Sequence, residues 1–265
     1  MQQRIGFIGG GAMGEAILKG LLAGGQKADS LIVSDSQRER REFLEKSYQV
    51  KTTSENEVVV KNSDVVILAI KPQNFPEVID SCVKALVSDK LIVSIMAGVT
   101  TAKLEEYLPD KCKVIRVMPN TPALVGAGTT VLSGGKYATE DDLKIALDIF
   151  QGLGSTTILP EKYLNAVTGL SGSGPAFVAL LVEALADGGV MAGLPRDIAA
   201  KLALDTVGGT AKLLTETGMH PAQLKDRVTS PAGTTIYGML ELEKNGVRGT
   251  IMQTVLTATK RAEEL

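Results

Sequence analysis

Residues 4–22 read RIGFIGGGAMGEAILKGLL, and this stretch decides the fold. The apolar run from Ile5 to Ile8 is typical of a strand, and apolar residues at helical spacing follow the glycines. Between them, Gly9, Gly11 and Gly14 fit the pattern G-x-G-x-x-G. In this pattern the glycines allow a tight turn, a close approach of backbone to a pyrophosphate, and close packing of helix on strand. The unpaired N–H groups that begin the helix attract phosphates, so the stretch predicts a dinucleotide site.

The second strand-like run supports this interpretation. Residues 31–34 read LIVS and end at Asp35, which lies 21 residues after Gly14. An acidic residue at that distance is placed to reach a ribose hydroxyl of a dinucleotide. The alternative is a glycine-rich turn that serves packing alone, because such turns also join strands to helices without binding a ligand.

The composition excludes several classes of protein. The chain has 265 residues, 44% of them hydrophobic and 22% charged, which is the range of globular proteins. A net charge of −2 and the absence of Trp argue against nucleic acid or an anionic membrane as a partner. The first strand pattern begins within four residues of Met1, so we expect no targeting segment before it. No apolar run reaches eighteen residues, so no membrane segment is expected, and we expect a cytoplasmic protein. Two cysteines and one histidine form no metal-ligand spacing, so we expect no metal.

The first part of the chain alternates between strand and helix patterns. Residues 64–70 form a continuous apolar run, typical of a strand buried on both faces of a parallel sheet. Further strands are predicted at 90–95, 113–118, 129–132 and 156–159, and helices at 78–87, 104–108 and 140–150. This alternation predicts an α/β fold with a doubly wound, mostly parallel sheet of the Rossmann type.

After about residue 159 the pattern contains only helices, predicted at 176–192, 197–215, 234–244 and 249–264. We therefore expect a dinucleotide-binding domain at 1–160 and an all-helical domain at 161–265. The segment 176–192 is apolar nearly all round, which predicts burial against another helix or another subunit.

Ligands of an open α/β sheet bind outside the carboxyl ends of its strands. Two such ends are Lys71-Pro72 and Ala97-Gly98. Asn56, which we place on the loop before the buried strand, is polar and suits a ribose or nicotinamide group, although a plain turn residue is the alternative. The turn at Lys71-Pro72 equally suits simple termination of the strand.

A second anion-binding segment is predicted in the helical part. Residues 229–235, TSPAGTT, form a small-residue turn that opens a helix. Backbone N–H groups and the hydroxyls of Ser230, Thr234 and Thr235 would suit a substrate carboxylate. The alternative is an N-cap followed by a hydroxyl-rich first turn.

No cysteine or serine has a credible histidine partner, because the single histidine, His220, precedes Pro221 in a predicted loop. A hydride transfer that needs no strong protein base is therefore favoured. Reduction of a C=N bond fits, since the substrate nitrogen can enter already protonated and needs only to be oriented.

Several motifs together resemble the pyrroline-5-carboxylate reductase family: IGFIGGGAMGEAI, VVILAIKPQ, RVMPNTPALVGAG, AVTGLSGSGPAF and HPAQLKDRVTSPAGTTIYGMLELE. The resemblance runs from Arg4 to about Arg261, and the last three motifs are the most specific. It implies hydride transfer from NADPH or NADH to the C=N carbon of 1-pyrroline-5-carboxylate, which gives L-proline. It also implies a helical domain that interlocks in a homodimer, sometimes assembled into a decamer, with the dimer needed for activity.

The resemblance implies site residues by matching motif positions. The cofactor would contact Gly9, Gly10, Gly11, Ala12, Met13, Gly14, Ser34, Asn56, Ala69, Ile70, Lys71, Pro72, Ala97 and Gly98. The substrate would be held by Ser230, Gly233, Thr234 and Thr235, with backbone amides on its carboxylate and the Thr235 hydroxyl near the ring nitrogen as the catalytic group.

Two positions depart from the family pattern. Ala232 stands where the family usually has the second glycine of SPGGTT. At Asp35, a carboxylate favours the free ribose hydroxyl of NADH, whereas Ser34, Ser36 and Arg38 suit a 2′-phosphate if Asp35 turns away. We therefore expect both cofactors to be used, with catalytic efficiencies within tenfold.

Two other functions share parts of this sequence pattern. A β-hydroxyacid dehydrogenase shares the first motif, but its catalytic lysine has no counterpart at 172–180, and Lys201 is the first lysine after Lys162. A non-catalytic dinucleotide sensor would keep the glycine loop and would have no need of the segment 229–235.

Overall fold

The computed structural model describes residues 3–264. They form two compact units, one of residues 3–173 with 258–264 and the other of Gly174–Thr257. The sequence-based division at residue 160 falls before this boundary, because the short helices that follow residue 160 pack with the sheet unit.

The first unit is built on one eight-stranded sheet with the order β3-β2-β1-β4-β5-β6-β7-β8. Neighbouring strands are parallel except β6 and β7. The strands are β1 (Ile5–Ile8), β2 (Leu31–Ser34), β3 (Lys51–Thr53), β4 (Val65–Leu68), β5 (Leu91–Ser94), β6 (Lys113–Met118), β7 (Gly128–Gly134) and β8 (Gly154–Ile158).

Helices follow the strands in the order that a doubly wound sheet requires. In the first unit they are α1 (Ala12–Ala23), α2 (Arg38–Tyr48), α3 (Asn56–Lys61), α4 (Phe75–Asp80), α5 (Thr101–Tyr107), α6 (Glu140–Phe150) and α7 (Leu164–Val167). A π-turn, Thr168–Gly172, follows α7. The predicted Rossmann-type architecture is confirmed.

The predicted doubly buried strand is also confirmed, and its alternating side chains explain the continuous apolar run. Val65 and Ile67 of β4 belong to the apolar cluster that includes Ile17 and Phe150. Val66 and Leu68 belong to the second cluster, on the other face. Since both faces of the strand are covered, every position in it must be apolar.

Two local predictions were wrong, and one strand was missed. The helix predicted at 78–87 is instead α4, which begins at Phe75, and a separate 3-10 turn, Val83–Ala85. Pro76 occupies the first turn of α4, where a missing N–H costs nothing. Asn56 begins helix α3 and does not lie on a loop. The edge strand β3, with the polar sequence KTT, was not predicted.

The second unit contains helices and, in its described residues, no strand, as predicted after residue 159. Its helices are α8 (Gly174–Met191), α9 (Arg196–Thr217), α10 (Pro221–Arg227), α11 (Thr234–Lys244) and α12 (Val247–Glu263), the last of which extends into the first unit. Large apolar side chains stay exposed on these helices, Met191 by 90%, Leu180 by 64% and Tyr237 by 65%. The helical stretch Glu161–Met191 is long and apolar enough to cross a membrane by length and composition, and little of it is buried in the single chain.

A buried carboxylate fixes the start of α6. Thr139 and Asp142 form a reciprocal capping box, and Lys113 of β6 donates to Asp142 at 2.9 Å. Burial by itself would raise the pKa of Asp142, but the hydrogen bonds from Thr139 and the charge of Lys113 hold that pKa below its usual value. The ionised carboxylate therefore stabilises the folded state.

We expect Asp142→Asn to lower the free energy of unfolding at neutral pH by about 1–3 kcal/mol. The pKa of Asp142 in the folded state lies below its value of about 3.9 in the unfolded state. The difference in unfolding free energy between wild type and variant should therefore be largest at neutral pH, and it should shrink as the pH falls below about 3.9 and through the folded-state pKa. Denaturant unfolding at several pH values measures it. Asp141→Asn, at an 86% exposed side chain of the same helix, is the control and should have little effect. A difference that does not change with pH would contradict this account.

Candidate active site

The glycine loop lies between β1 and α1, and two of its glycines are required by close contacts with backbone. Gly9 has a φ of +100°, and a Cβ there would lie 2.4 Å from the carbonyl oxygen of Ala69. A Cβ on Gly14 would lie 2.6 Å from the carbonyl oxygen of Gly9. These contacts leave no room for a side chain at either position. Because glycine has none, β1, α1 and the end of β4 can approach one another at the loop.

Gly11 differs from the other two because nothing lies within 4 Å of the position that its Cβ would occupy. Gly11 and Ala12 are exposed, and the helix that they begin has N–H groups with no partner inside it. The open side of Gly11 therefore faces a region where an anionic group can approach the backbone and the positive end of the helix dipole. This arrangement fits the pyrophosphate of a dinucleotide.

Asp35 faces the glycine loop. Its Oδ2 accepts the backbone N–H of Gly10 at 2.9 Å, and its Oδ1 accepts the N–H of Gln37 at 2.9 Å. Two backbone donors therefore hold the carboxylate at the carboxyl end of β2, beside the loop. Arg38, expected to reach a 2′-phosphate, has an 83% exposed side chain that pairs with Glu42 at 2.7 Å.

Sequence reasoning overlooked Arg40. Its guanidinium donates to the carbonyl oxygen of Gly10 and to the carboxylate of Glu15, on the first turn of α1. The sequence feature that could have indicated it is the cluster of three arginines at 38, 40 and 41. Which of them contacts the glycine loop depends on the direction in which each side chain leaves α2.

Ser34 and Asn56 are joined to each other. Ser34 is 1% exposed, and its hydroxyl lies 2.7 Å from Oδ1 of Asn56, to which it donates. The Asn56 amide nitrogen donates to the hydroxyl of Ser81 at 3.0 Å. The pair ties the end of β2 to the beginning of α3, and Asn56, being half-buried, is the member that solvent can reach.

The predicted strand ends do meet at one edge of the sheet. The Ala69 N–H donates to the carbonyl oxygen of Ile8 at 2.9 Å, so the segment Ala69–Pro72 begins beside the glycine loop. Gly98, after β5, has a φ of +75°, a left-handed conformation that favours glycine. A cavity of about 440 Å³ lies between these two segments and is lined by Pro72, Gln73, Phe75, Ala97 and Val99.

In the second unit, the loop 229–233 opens helix α11. Gly233 is the N-cap, and a Cβ on it would lie 2.2 Å from the hydroxyl oxygen of Ser230. Ala232 has a φ of +57°, a conformation in which a side chain costs free energy. Thr234 and Thr235 form the first turn of α11, so their N–H groups have no partner inside the helix. An open groove of about 600 Å³ adjoins the loop and is lined partly by Ala232, Ile236 and Tyr237.

Neither unit supplies a strong nucleophile or a metal centre in the part of the chain that the structure describes. Burial raises the pKa of Cys82 and of Cys112 to about 11, so both thiols stay protonated at neutral pH. His220 caps helix α10, with its Nδ1 accepting the N–H of Ala222 at 3.2 Å. Residues 3–264 contain no group of three His, Cys, Asp or Glu side chains that could hold a metal ion.

Comparison with protein families gives two matches. The family described as "Pyrroline-5-carboxylate reductase dimerisation" matches residues 161–265. The family described as "NADP oxidoreductase coenzyme F420-dependent" matches residues 4–98, which include the glycine loop and the Ala97-Gly98 segment.

Curated relatives match the chain over its whole length. Proteins named pyrroline-5-carboxylate reductase are 48% identical in Synechocystis (100% of this chain, 99% of the relative), and 44% identical in Methanosarcina acetivorans (99% and 98%). Among solved structures, the pyrroline-5-carboxylate reductase of Coxiella burnetii has a TM-score of 0.92 at 33% identity, covering 100% of this chain and 98% of that one. The pyrroline carboxylate reductase of Plasmodium falciparum with NADP bound has a TM-score of 0.90 at 33% identity, with the same coverage.

The contrast between Gly11 and Gly9 gives a prediction. Gly11 has a φ of −63°, which alanine also adopts, so Gly11→Ala should change the free energy of unfolding by less than about 0.5 kcal/mol. The added methyl group occupies the open side of the loop and should raise the Kd for NADPH and NADH at least about tenfold. Gly9→Ala should destabilise the fold by at least about 2 kcal/mol. Denaturant unfolding and cofactor titration measure both quantities, and unchanged cofactor affinity in Gly11→Ala would contradict the placement of the pyrophosphate.

Proposed function

The chain belongs to the pyrroline-5-carboxylate reductase family, and we propose that it carries out the family's reaction, the reduction of 1-pyrroline-5-carboxylate to L-proline with NADPH or NADH. The observation that carries this proposal is the 48% identity to a reductase over the full length of both chains. With this reaction, the chain is an oxidoreductase of proline biosynthesis.

The cofactor would be held at the carboxyl edge of the sheet. The first-turn N–H groups at Ala12, Met13 and Gly14 suit its pyrophosphate, and Asp35 lies where the ribose of the adenosine would be bound. From the segments Ala69–Pro72 and Ala97–Gly98, Pro72 and Ala97 line the cavity of about 440 Å³ at the same edge, which suits the nicotinamide half.

The substrate carboxylate would be held by the first turn of α11. The N–H groups of Gly233, Thr234 and Thr235 and the hydroxyl of Ser230 can donate to its oxygens, and hydrogen bonds to a charged acceptor are worth about 1.5–3 kcal/mol each. This fixes the ring at one end, so that its C=N bond takes a single orientation.

The proposed chemistry places few demands on the protein. When bound, the reduced nicotinamide supplies a hydride to the C=N carbon, and the π electron pair of that bond moves onto the nitrogen. The nitrogen enters already protonated, so no side chain has to deliver a proton in that step. The Thr235 hydroxyl is the catalytic group in this proposal, because it can hydrogen-bond to the ring nitrogen and orient it.

The helical domain would form a homodimer. Exposed apolar side chains on α8, α9, α11 and α12 need a cover, and residues 161–265 match a family named for dimerisation. A second copy would also cover the apolar stretch Glu161–Met191, which makes a cytoplasmic protein with no membrane partner the simpler interpretation. The chain would then divide by function into a cofactor domain at 1–160 and a substrate-binding and dimerisation domain at 161–265. Such dimers could assemble further into a decamer.

The two rival functions lack support from the residues. In the turn and helix start at 172–180 there is no lysine that could act as the base of a β-hydroxyacid dehydrogenase. A sensor would not need the loop before α11, where Ala232 is held in a strained conformation.

We expect purified protein to oxidise NADPH or NADH only when 1-pyrroline-5-carboxylate is added, as followed by the loss of cofactor absorbance. Thr235→Ala should lower kcat by about 10- to 100-fold, because one hydrogen bond to the reacting group is lost. Thr235→Ser keeps the hydroxyl and is the control. The Kd for the cofactor should stay unchanged in both variants. Wild-type protein that binds cofactor without oxidising it would favour the sensor.

We further propose that both cofactors are used and that Asp35 sets the balance between them. Since the carboxylate is hydrogen-bonded to Gly10 and faces the loop, its charge opposes a 2′-phosphate. Asp35→Asn should raise kcat/KM for NADPH by about tenfold and change that for NADH less, since a tenfold change corresponds to about 1.4 kcal/mol. Wild-type values within tenfold of each other are expected, and strict use of NADPH would refute this role of Asp35.

A further inference from the structure

Arg40 occupies a position that neither the dinucleotide motif nor the proposed reaction assigns. It lies on α2, and its side chain is 23% exposed. One nitrogen, Nε, donates to the carbonyl oxygen of Gly10, and a terminal nitrogen donates to Oε2 of Glu15. The planar guanidinium can serve both acceptors at once, which a lysine ammonium does less well.

The first effect of this contact is on the peptide groups around Gly10. Asp35 accepts the N–H of Gly10 at 2.9 Å, while Arg40 donates to its carbonyl oxygen. Gly10 is buried, and a Cβ on it would lie 2.7 Å from a methyl group of Leu44. Gly10 is therefore held on both its backbone polar groups and from the side. Gly11, whose open side faces the proposed pyrophosphate position, follows directly in the chain.

The second effect is electrostatic. Glu15 lies on the first turn of α1, where its negative charge would oppose an anion that binds to the same helix end. Burial would raise the pKa of Glu15, but hydrogen bonds from Tyr48 at 2.6 Å and from Arg40 hold that pKa below its usual value. Glu15 is therefore ionised at neutral pH. The positive charge of Arg40 lies in direct contact with it, and Lys19 makes a smaller electrostatic contribution.

The neighbouring arginines do not share this role. Arg38 pairs with Glu42 and is largely exposed. Arg41 donates to the backbone carbonyl oxygens of Asp35 and Ser36, at 2.7 and 3.1 Å, and thereby supports the turn after β2. Of these three side chains, as the structure describes them, Arg40 alone forms hydrogen bonds to the glycine loop and to α1.

We propose that Arg40 is a positioning residue for the dinucleotide: it fixes the glycine loop through Gly10 and neutralises Glu15, so that the end of α1 attracts the pyrophosphate. This inference rests on the proposed binding of NADPH or NADH at the glycine loop. Arg40 acts through the loop and through Glu15, and it selects neither cofactor over the other.

The test is a double-mutant cycle read by cofactor affinity. Arg40→Met, Glu15→Gln and the double variant are titrated with NADPH and with NADH, following cofactor fluorescence, at low and high salt. Arg40→Met should raise the Kd for both cofactors at least about tenfold, by a similar factor for each. Glu15→Gln in the Arg40→Met background should restore at least half of that loss on a logarithmic scale, and the loss should shrink at high salt.

Two further variants separate positioning from general effects of charge and folding. Arg4→Met removes an arginine from an ion pair with Asp64 at the opposite edge of the same sheet, and it should leave both Kd values unchanged. Arg40→Lys keeps the charge without the planar donor pair and should lie between wild type and Arg40→Met. Thermal unfolding of each variant confirms that the fraction titrated is folded, and Arg40→Lys serves the comparison if Arg40→Met does not fold.

The proposal is overturned if Arg40→Met, or Arg40→Lys in its place, binds both cofactors within twofold of wild type. It is equally overturned if Glu15→Gln restores nothing, because the electrostatic part of the role would then be absent. Wild-type protein that binds neither cofactor would refute the proposed function itself. That result is distinguishable, since it concerns the wild type and not the variants.

Discussion

The contact of bare backbone with backbone at Gly9 is the constraint on which the rest of the sheet unit depends. The carbonyl oxygens of Ala69 and Gly9 approach the positions where side chains of Gly9 and Gly14 would begin. Only glycine allows this approach, and it places the start of α1, the end of β1 and the end of β4 at one point. The proposed cofactor site exists because three elements converge there.

Around this point the chain surrounds the glycine loop with charged groups. Asp35 from the end of β2 and Arg40 from α2 hold the two backbone polar groups of Gly10, and Glu15 of α1 accepts from Arg40. Oppositely charged side chains thus pair with one another beside the helix end that is proposed to bind the pyrophosphate. A loop of glycines has large conformational freedom, so neighbours that restrict it reduce the entropy lost when a ligand binds.

The helical unit follows a different principle. The sheet unit buries two apolar clusters on its own, whereas α8, α9, α11 and α12 leave many large apolar side chains exposed. A hydrophobic face that remains in water costs free energy, and a second copy of the same helices is the cover that the match to a dimerisation family suggests. On this view oligomerisation stabilises the helical unit.

The sequence alone determined the elements whose signal is local. The glycine pattern, the continuous apolar run of β4 and the helical spacing after residue 159 each follow from contacts within a few residues or from burial on both faces, so they were predicted correctly. Only the tertiary structure decided that Asp35 faces Gly10, that Ser34 is buried against Asn56, and that Arg40 rather than Arg38 meets the loop. Those outcomes depend on the direction in which side chains leave elements far apart in the chain, and no local pattern encodes that direction.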